Sequence, residues 1–251
     1  MNTNLTRPLP RRRGKQQGFT LIELSVAVLI GLFLLAGLLT LVQDMTRTFG
    51  AQSSMSQLQD SQRLAMTLIA DVVQSAGYFP DPTINTLATS FPAVAPFTTA
   101  GQAIAGTHSG AAPGDTITVQ FRTQPNDGVI NCTGNTNTTG AKQIYVNQFT
   151  VDALGNLNCV LNNAAAVPLV TGVTNMQVLY GVRTNLAATS NNIDSYLTAS
   201  QVAATNNWSN VISVKVTLTF TNPLAATAGQ PATIPFTRVV TVMGRGGVNT
   251  A

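Results

Sequence analysis

Few side chains in this chain can titrate. Asp, Glu, Lys and Arg together make up 9% of the 251 residues, and His108 is the single histidine. So sparse a set of acids and bases is poor material for general acid–base or nucleophilic catalysis, and no enzymatic activity and no catalytic residue are expected. The formal charge of +4 invites an anionic partner, but the excess is confined to one end. Residues 1–18 hold Arg7, Arg11, Arg12, Arg13 and Lys15 and no acid; without them eight cations face nine acids, a net charge of about −1. No nucleic-acid partner is expected of a surface like that.

Cysteine is nearly absent. Cys132 and Cys159 have no second cysteine pair and no histidine nearby, so neither a metal site nor a cofactor is expected. In an exported domain the two are expected to form one disulfide across 27 residues, a closure worth ~3.5 kcal/mol on the chain-entropy model. Proline is missing from position 11 to position 79, which leaves room for one long helix.

What fills that room is KQQGFTLIELSVAVLIGLFLLAGLLTLVQ, residues 15–43. From Phe19 to Val42 the run is apolar, and Glu23 is the only ionisable side chain between Lys15 and Asp44. As a helix rising ~1.5 Å per residue it spans roughly 36 Å, more than the ~30 Å of a bilayer's hydrocarbon core. A secretory signal peptide is cleaved after its apolar region, and that region is shorter than this one. Here the candidate cut, Gly18–Phe19, precedes the run. The basic leader favours a cytoplasmic amino terminus and an exported carboxy-terminal part.

The ordered string Gly18-Phe19-Thr20-Leu21-Ile22-Glu23, joined to that leader and that run, resembles the class III signal of type IV pilins and pseudopilins. The resemblance implies cleavage after Gly18 by a prepilin peptidase and N-methylation of Phe19. It also implies a role for Glu23 in subunit assembly, paired with the terminal amine of a neighbour. A carboxylate and an ammonium buried together cost far less than either alone. Many major pilins carry a proline where this chain has Thr40, which argues against a proline kink here; Gly31, Gly37 and Gly50 are the remaining soft points.

The helix is expected from Phe19 to about Gly77. Its second half is amphipathic, with Met55, Leu58, Ala65, Met66, Leu68, Ile69, Val72 and Val73 on one face and Gln57, Gln59, Asp60, Gln62 and Arg63 on the others. Gly77 and Pro80 end it. Residues 80–114 read as a long loop with at most a short strand. Strands are expected over Ile117–Phe121, over a hairpin from Ile144 to Leu161 turning at Gly155-Asn156, and over Val167–Val182 as a pair or as one strand bent at Gly172. A loop with a short helix near Leu197–Ala204 follows. Next come a strand Val211–Phe220, with Ile212, Val214, Val216, Leu218 and Phe220 on one face, and a last strand over 234–243. The expected fold is therefore α+β, a long amino-terminal pilin helix packed on a mainly antiparallel sheet of about six strands. The expected divisions are a leader at 1–18, a transmembrane or filament-core half-helix at 19–43, an amphipathic half at 44–79 and a β-rich domain at 80–251.

Other candidate chemistry is weaker than its plain alternative. His108-Ser109 sits among Gly, Ala and Pro and reads as an exposed turn. Gly134–Lys142 has a faint likeness to a phosphate loop but lacks the Gly-Lys-Ser/Thr core. Asp127-Gly128 and Asp152–Asn158 lack the alternating carboxylates of a calcium loop and read as turns. Trp208 reads as core packing, with an interface contact as the alternative.

Several stretches in order, Gln74-Ser-Ala-Gly-Tyr78-Phe79, Cys132-Thr-Gly134, Gly155-Asn-Leu-Asn-Cys159, Leu169–Gly181, Ser195–Ala199 and Trp208–Val216, resemble minor pilins of the PilW type, related to the J-type pseudopilins. Residues 80–114 and the carboxy-terminal tail carry no such likeness. The resemblance implies a low-abundance structural subunit of a type IV pilus. Such a subunit is anchored in the inner membrane with a periplasmic domain and later sits at or near the tip of the surface filament, where it primes assembly. Adhesion and twitching motility are the implied processes. The implied partners are the prepilin peptidase, the major pilin, other minor pilins and a tip adhesin. The alternative is a pseudopilin of a type II secretion system.

Overall fold

A computed structural model describes residues 18–184 and 192–243, so the leader, apart from Gly18, and part of the Asn- and Ser-rich loop lie outside the described residues. The chain divides into two units, Met1–Gly50 and Ala51–Ala251.

The first unit is the start of helix α1, Leu21–Gln74, whose remainder belongs to the second unit. Leu, Ala and Met favour helix and no proline interrupts them. All residues from Gly18 to Gly50 are exposed, and the helix runs unbroken through Thr40. Its hydroxyls are turned back on their own helix. Ser25, Thr40, Thr46 and Thr48 donate to the carbonyls of Leu21, Gly37, Val42 and Asp44 at 2.8–2.9 Å. A polar side chain bonded in this way can enter hydrocarbon without leaving its donor unpaired.

In the second unit α1 buries Leu58, Gln62, Ala65, Met66, Ile69, Ala70, Val72 and Val73. Gln62, expected on a face other than the apolar one, is among them. It lies four residues from both Leu58 and Met66, on the same stripe, and is 7% exposed. After the helix, the expected loop 80–114 holds a short helix α2 (Leu87–Ser90), capped by Thr86, and strand β1 (Ile104–Thr107). The later elements are β2 (Thr116–Thr123), β3 (Gln143–Val151), β4 (Asn156–Leu161), β5 (Val167–Thr171), β6 (Val173–Val182), β7 (Ser195–Leu197), α3 (Ala199–Ala204), β8 (Val211–Thr221) and β9 (Thr233–Thr241).

The domain is α+β and its strand pairs are antiparallel, but nine strands in two sheets, not about six in one, are found among the described residues. One sheet runs β1-β2-β3-β4-β5 and the other β7-β6-β8-β9. The 144–161 hairpin is present, with Val151 opposite Leu157. The 167–182 stretch is bent at Gly172, whose φ of 83° few side chains tolerate, and its halves part company: β5 pairs with β4, β6 with β7 and β8. On β8 the expected face loses Ile212. The register slips there, Gly181 standing opposite Ser213 and Val182 opposite Val211, and Ile212 is only half-buried.

One apolar core joins α1 to both sheets, with Phe121, Phe149, Leu157, Met176, Tyr180, Leu218 and Phe220 among its fully buried side chains. The end of α1 is stitched to β2, since Gly77 N–H donates to Gln120 O and Arg122 N–H to Tyr78 O. The two sheets meet at Gly114, which forms a parallel bridge with Met176. A Cβ on Gly114 would collide with the Met176 carbonyl, so the approach needs glycine.

Candidate functional site

The amino-terminal signal begins with three exposed residues ahead of the helix, Gly18, Phe19 and Thr20, and Phe19 keeps 88% of its surface in the open. Thr20 is the helix cap. Its carbonyl accepts the first helical N–H, from Leu24, at 3.2 Å. Its own N–H and hydroxyl donate to Glu23 Oε2 at 3.1 and 3.0 Å, while Glu23 N–H reaches Thr20 Oγ1 at 3.4 Å. This is a reciprocal capping box, and it fixes where the carboxylate sits. Sequence reasoning missed it, although the Thr-x-x-Glu spacing of Thr20 and Glu23 was there to read. Glu23 Oε1 has no partner among the described residues, and Glu23 is the only glutamate of the chain. The helix start therefore presents one carboxylate oxygen, held in place and able to accept a cation's proton.

Cys132 and Cys159 are joined, with Cα atoms 5.8 Å apart. The bond ties the polar loop 124–142 to β4. Around it, Cys132 N–H donates to the buried Asn147 Oδ1 at 2.8 Å. Asn131 Oδ1 accepts from Thr133 N–H and hydroxyl and from Asn135 N–H, and Asn137 Oδ1 accepts from Thr139. These Asx turns account for the Asn/Thr-rich composition of the loop. Lys142, the cation of the faint phosphate-loop likeness, is paired with Asp81.

The remaining candidates are separated from one another. Ser109 Oγ donates to Ala111 O at 2.9 Å and does not point at the histidine; His108 Nδ1 instead contacts Asp115 Oδ1 at 2.9 Å. Asp152 caps the β3–β4 turn, accepting from Leu154 N–H, Asn156 N–H and the side-chain amides of Asn156 and Asn158. Those donors, the Asn158 amide first, hold its carboxyl down at about 2. Trp208 is 6% exposed and packs edge-on against Tyr180, ring centroids 4.9 Å apart, as a core residue.

Two family models match. Residues 13–39 match the prokaryotic N-terminal methylation motif, a stretch that contains Gly18, Phe19, the Thr20–Glu23 cap and most of the apolar run. Residues 135–239 match type IV pilus-assembly protein W, a stretch that begins in the disulfide-closed loop and ends in β9. No curated protein matches the chain. In the second unit, as in the first, elements and matches agree: a methylation-type signal on an exposed apolar helix, long enough to cross a membrane, and a disulfide-closed β-domain. The chain is a type IV pilin-like protein, a minor pilin of the PilW type.

Proposed function

We propose that this minor pilin is a structural subunit without catalysis of its own. Prepilin peptidase cuts it between Gly18 and Phe19, and Phe19 is then N-methylated. The apolar segment 19–43 holds the subunit in the inner membrane with its β-domain in the periplasm. Glu23 pairs with the new terminal amine of a neighbouring subunit and sets the register between them. With other minor pilins it primes the pilus, stays at or near the tip below an adhesin, and is followed by the major pilin.

The observation that carries this reading is the capped carboxylate at the start of a helix that holds no other ionisable side chain before Asp44. An acid in such a segment is costly unless a cation meets it, and Glu23 Oε1 has no partner among the described residues. Mass spectrometry of filaments sheared from the cell surface tests it. A trace peptide beginning at methylated Phe19 beside abundant major pilin is the expected result. Absence of the subunit from filaments, with copurification of secretion components, would replace this reading by a type II secretion pseudopilin.

A further inference from the structure

Where α1 ends, a groove of about 540 Å³ opens between its last turns and the segment 128–130. Asp71 and Tyr78 stand on the helix side, and Val129, Ile130 and Met243 form apolar walls opposite. The Asp71 carboxylate has no hydrogen-bond or ion-pair partner among the described residues. The last helical turn holds no basic residue, so no side chain of that turn offsets the partial negative charge of the helix carboxy terminus, about −0.5 of an elementary charge. Among the described residues, no basic side chain lines the groove. The Tyr78 hydroxyl is pushed up, by burial first and then by the carboxylates of Asp127 and Asp81.

We propose that this groove receives a lysine or arginine side chain of a neighbouring protein subunit. The aliphatic stem lies against Val129, Ile130 and Met243, and the cationic head meets Asp71 and the Tyr78 ring. Charge complementarity selects this occupant. A wholly apolar guest would bury the Asp71 carboxylate unpaired, and an acidic one would add a like charge to it. Arginine and lysine alone among side chains combine a long apolar stem with a permanent cation. The site adds a contact to the assembly role above but does not depend on whether that assembly is a pilus or a secretion machine, so either reading can fail alone.

The test uses the full chain in nonionic detergent with labelled methionine methyl groups. The probes are the capped tripeptides acetyl-Leu-Arg-Leu-amide and acetyl-Leu-Gln-Leu-amide. The expected result is a saturable shift of the Met243 methyl signal with the arginine peptide alone, weakened by added salt. Asp71→Asn should weaken that binding about tenfold or more, whereas Asp60→Asn, on the same helix outside the groove, should leave it unchanged. Asp71→Lys should move the preference to acetyl-Leu-Glu-Leu-amide, a gain that a misfolded variant cannot give. Equal shifts with the glutamine peptide, or full binding by Asp71→Asn, would overturn the proposal. Binding that appears only after removal of residues 244–251 would mean that the groove is filled by its own chain, and would overturn it too.

Discussion

The carboxylate of Asp115, at the head of β2 in one sheet, accepts the backbone N–H of Val178 in the other sheet at 2.8 Å. Its second oxygen accepts Ser109 N–H at 2.8 Å and contacts His108 Nδ1 at 2.9 Å. Asp115 N–H donates to Met176 O, and Met176 N–H to Pro113 O. This buried acid, 3% exposed, is therefore the pin between the two sheets. It also acts on the Tyr180 hydroxyl, whose ionisation is pushed up by burial first and by Asp115 second, so that the core phenol stays neutral.

Asp115→Ala removes three contacts at once and leaves the Val178 and Ser109 N–H groups without acceptors. We expect a loss of about 3 kcal/mol, and a smaller loss for Asp115→Asn, which keeps one acceptor oxygen. Trp208, the single tryptophan, lies in the core of this domain and reports its unfolding in urea by fluorescence. An alanine variant with the wild-type midpoint would remove the pin from the account.

Asp152 makes a pH prediction whose sign follows from its lowered carboxyl. The folded value, about 2, lies below the ordinary 3.8. The stabilisation from its charged form is thus complete above the ordinary value and is lost as pH falls through the interval down to about 2. Asp152→Asn cannot titrate and should show a shallower loss of urea midpoint over that interval than the parent chain. Identical pH profiles for the two would mean that the turn does not depend on the charge.

At the amino terminus, the capping box separates two roles of one residue. Glu23→Val and Glu23→Gln should both be processed at Gly18–Phe19 and should both fail to support pili, because both lack the charge that meets a terminal amine. Thr20→Val keeps that charge and loses the cap, which is worth about 1 kcal/mol of helix stability, so we expect it to assemble. Pilus counts by electron microscopy decide. Normal piliation by Glu23→Val would remove Glu23 from assembly, and loss of piliation by Thr20→Val alone would make the cap, and not the charge, the essential feature.

The sequence was most legible where a period could be read without knowing the partner. The unbroken apolar run from Phe19 declares its helix, and the patterns of Ile117–Phe121 and Val211–Phe220 declare strands that the structure extends only slightly. A period of two does not say which strand lies alongside. The two halves of Val167–Val182 therefore read as one bent strand or a strand pair, although Gly172 sends them to different sheets. Strands as short as Ser195–Leu197 exist only because β6 pairs with them. The Asp115 pin lay beyond reach because its three contacts come from residues 108, 109 and 178, and no local pattern joins those. The Cys132–Cys159 bond was legible from scarcity, since each cysteine had one possible partner.

Gln62 gives the last prediction, because its position contradicts its polarity. It lies on the helix stripe between Leu58 and Met66, is 7% exposed, and its Nε2 is buried without a hydrogen-bond partner among the described residues. A buried donor left unpaired costs about 1–3 kcal/mol. Leucine has similar bulk and no polar atoms, so Gln62→Leu should raise the urea midpoint of the isolated subunit, by the equivalent of about 1–2 kcal/mol. A lowered midpoint would mean that the amide is satisfied in solution, by water or by a local rearrangement, and that its donor is already in use. A more stable variant that assembles poorly would say something different: the amide is kept at a cost to the single subunit because a neighbouring subunit accepts its proton, which would place that neighbour against α1 beside Leu58 and Met66.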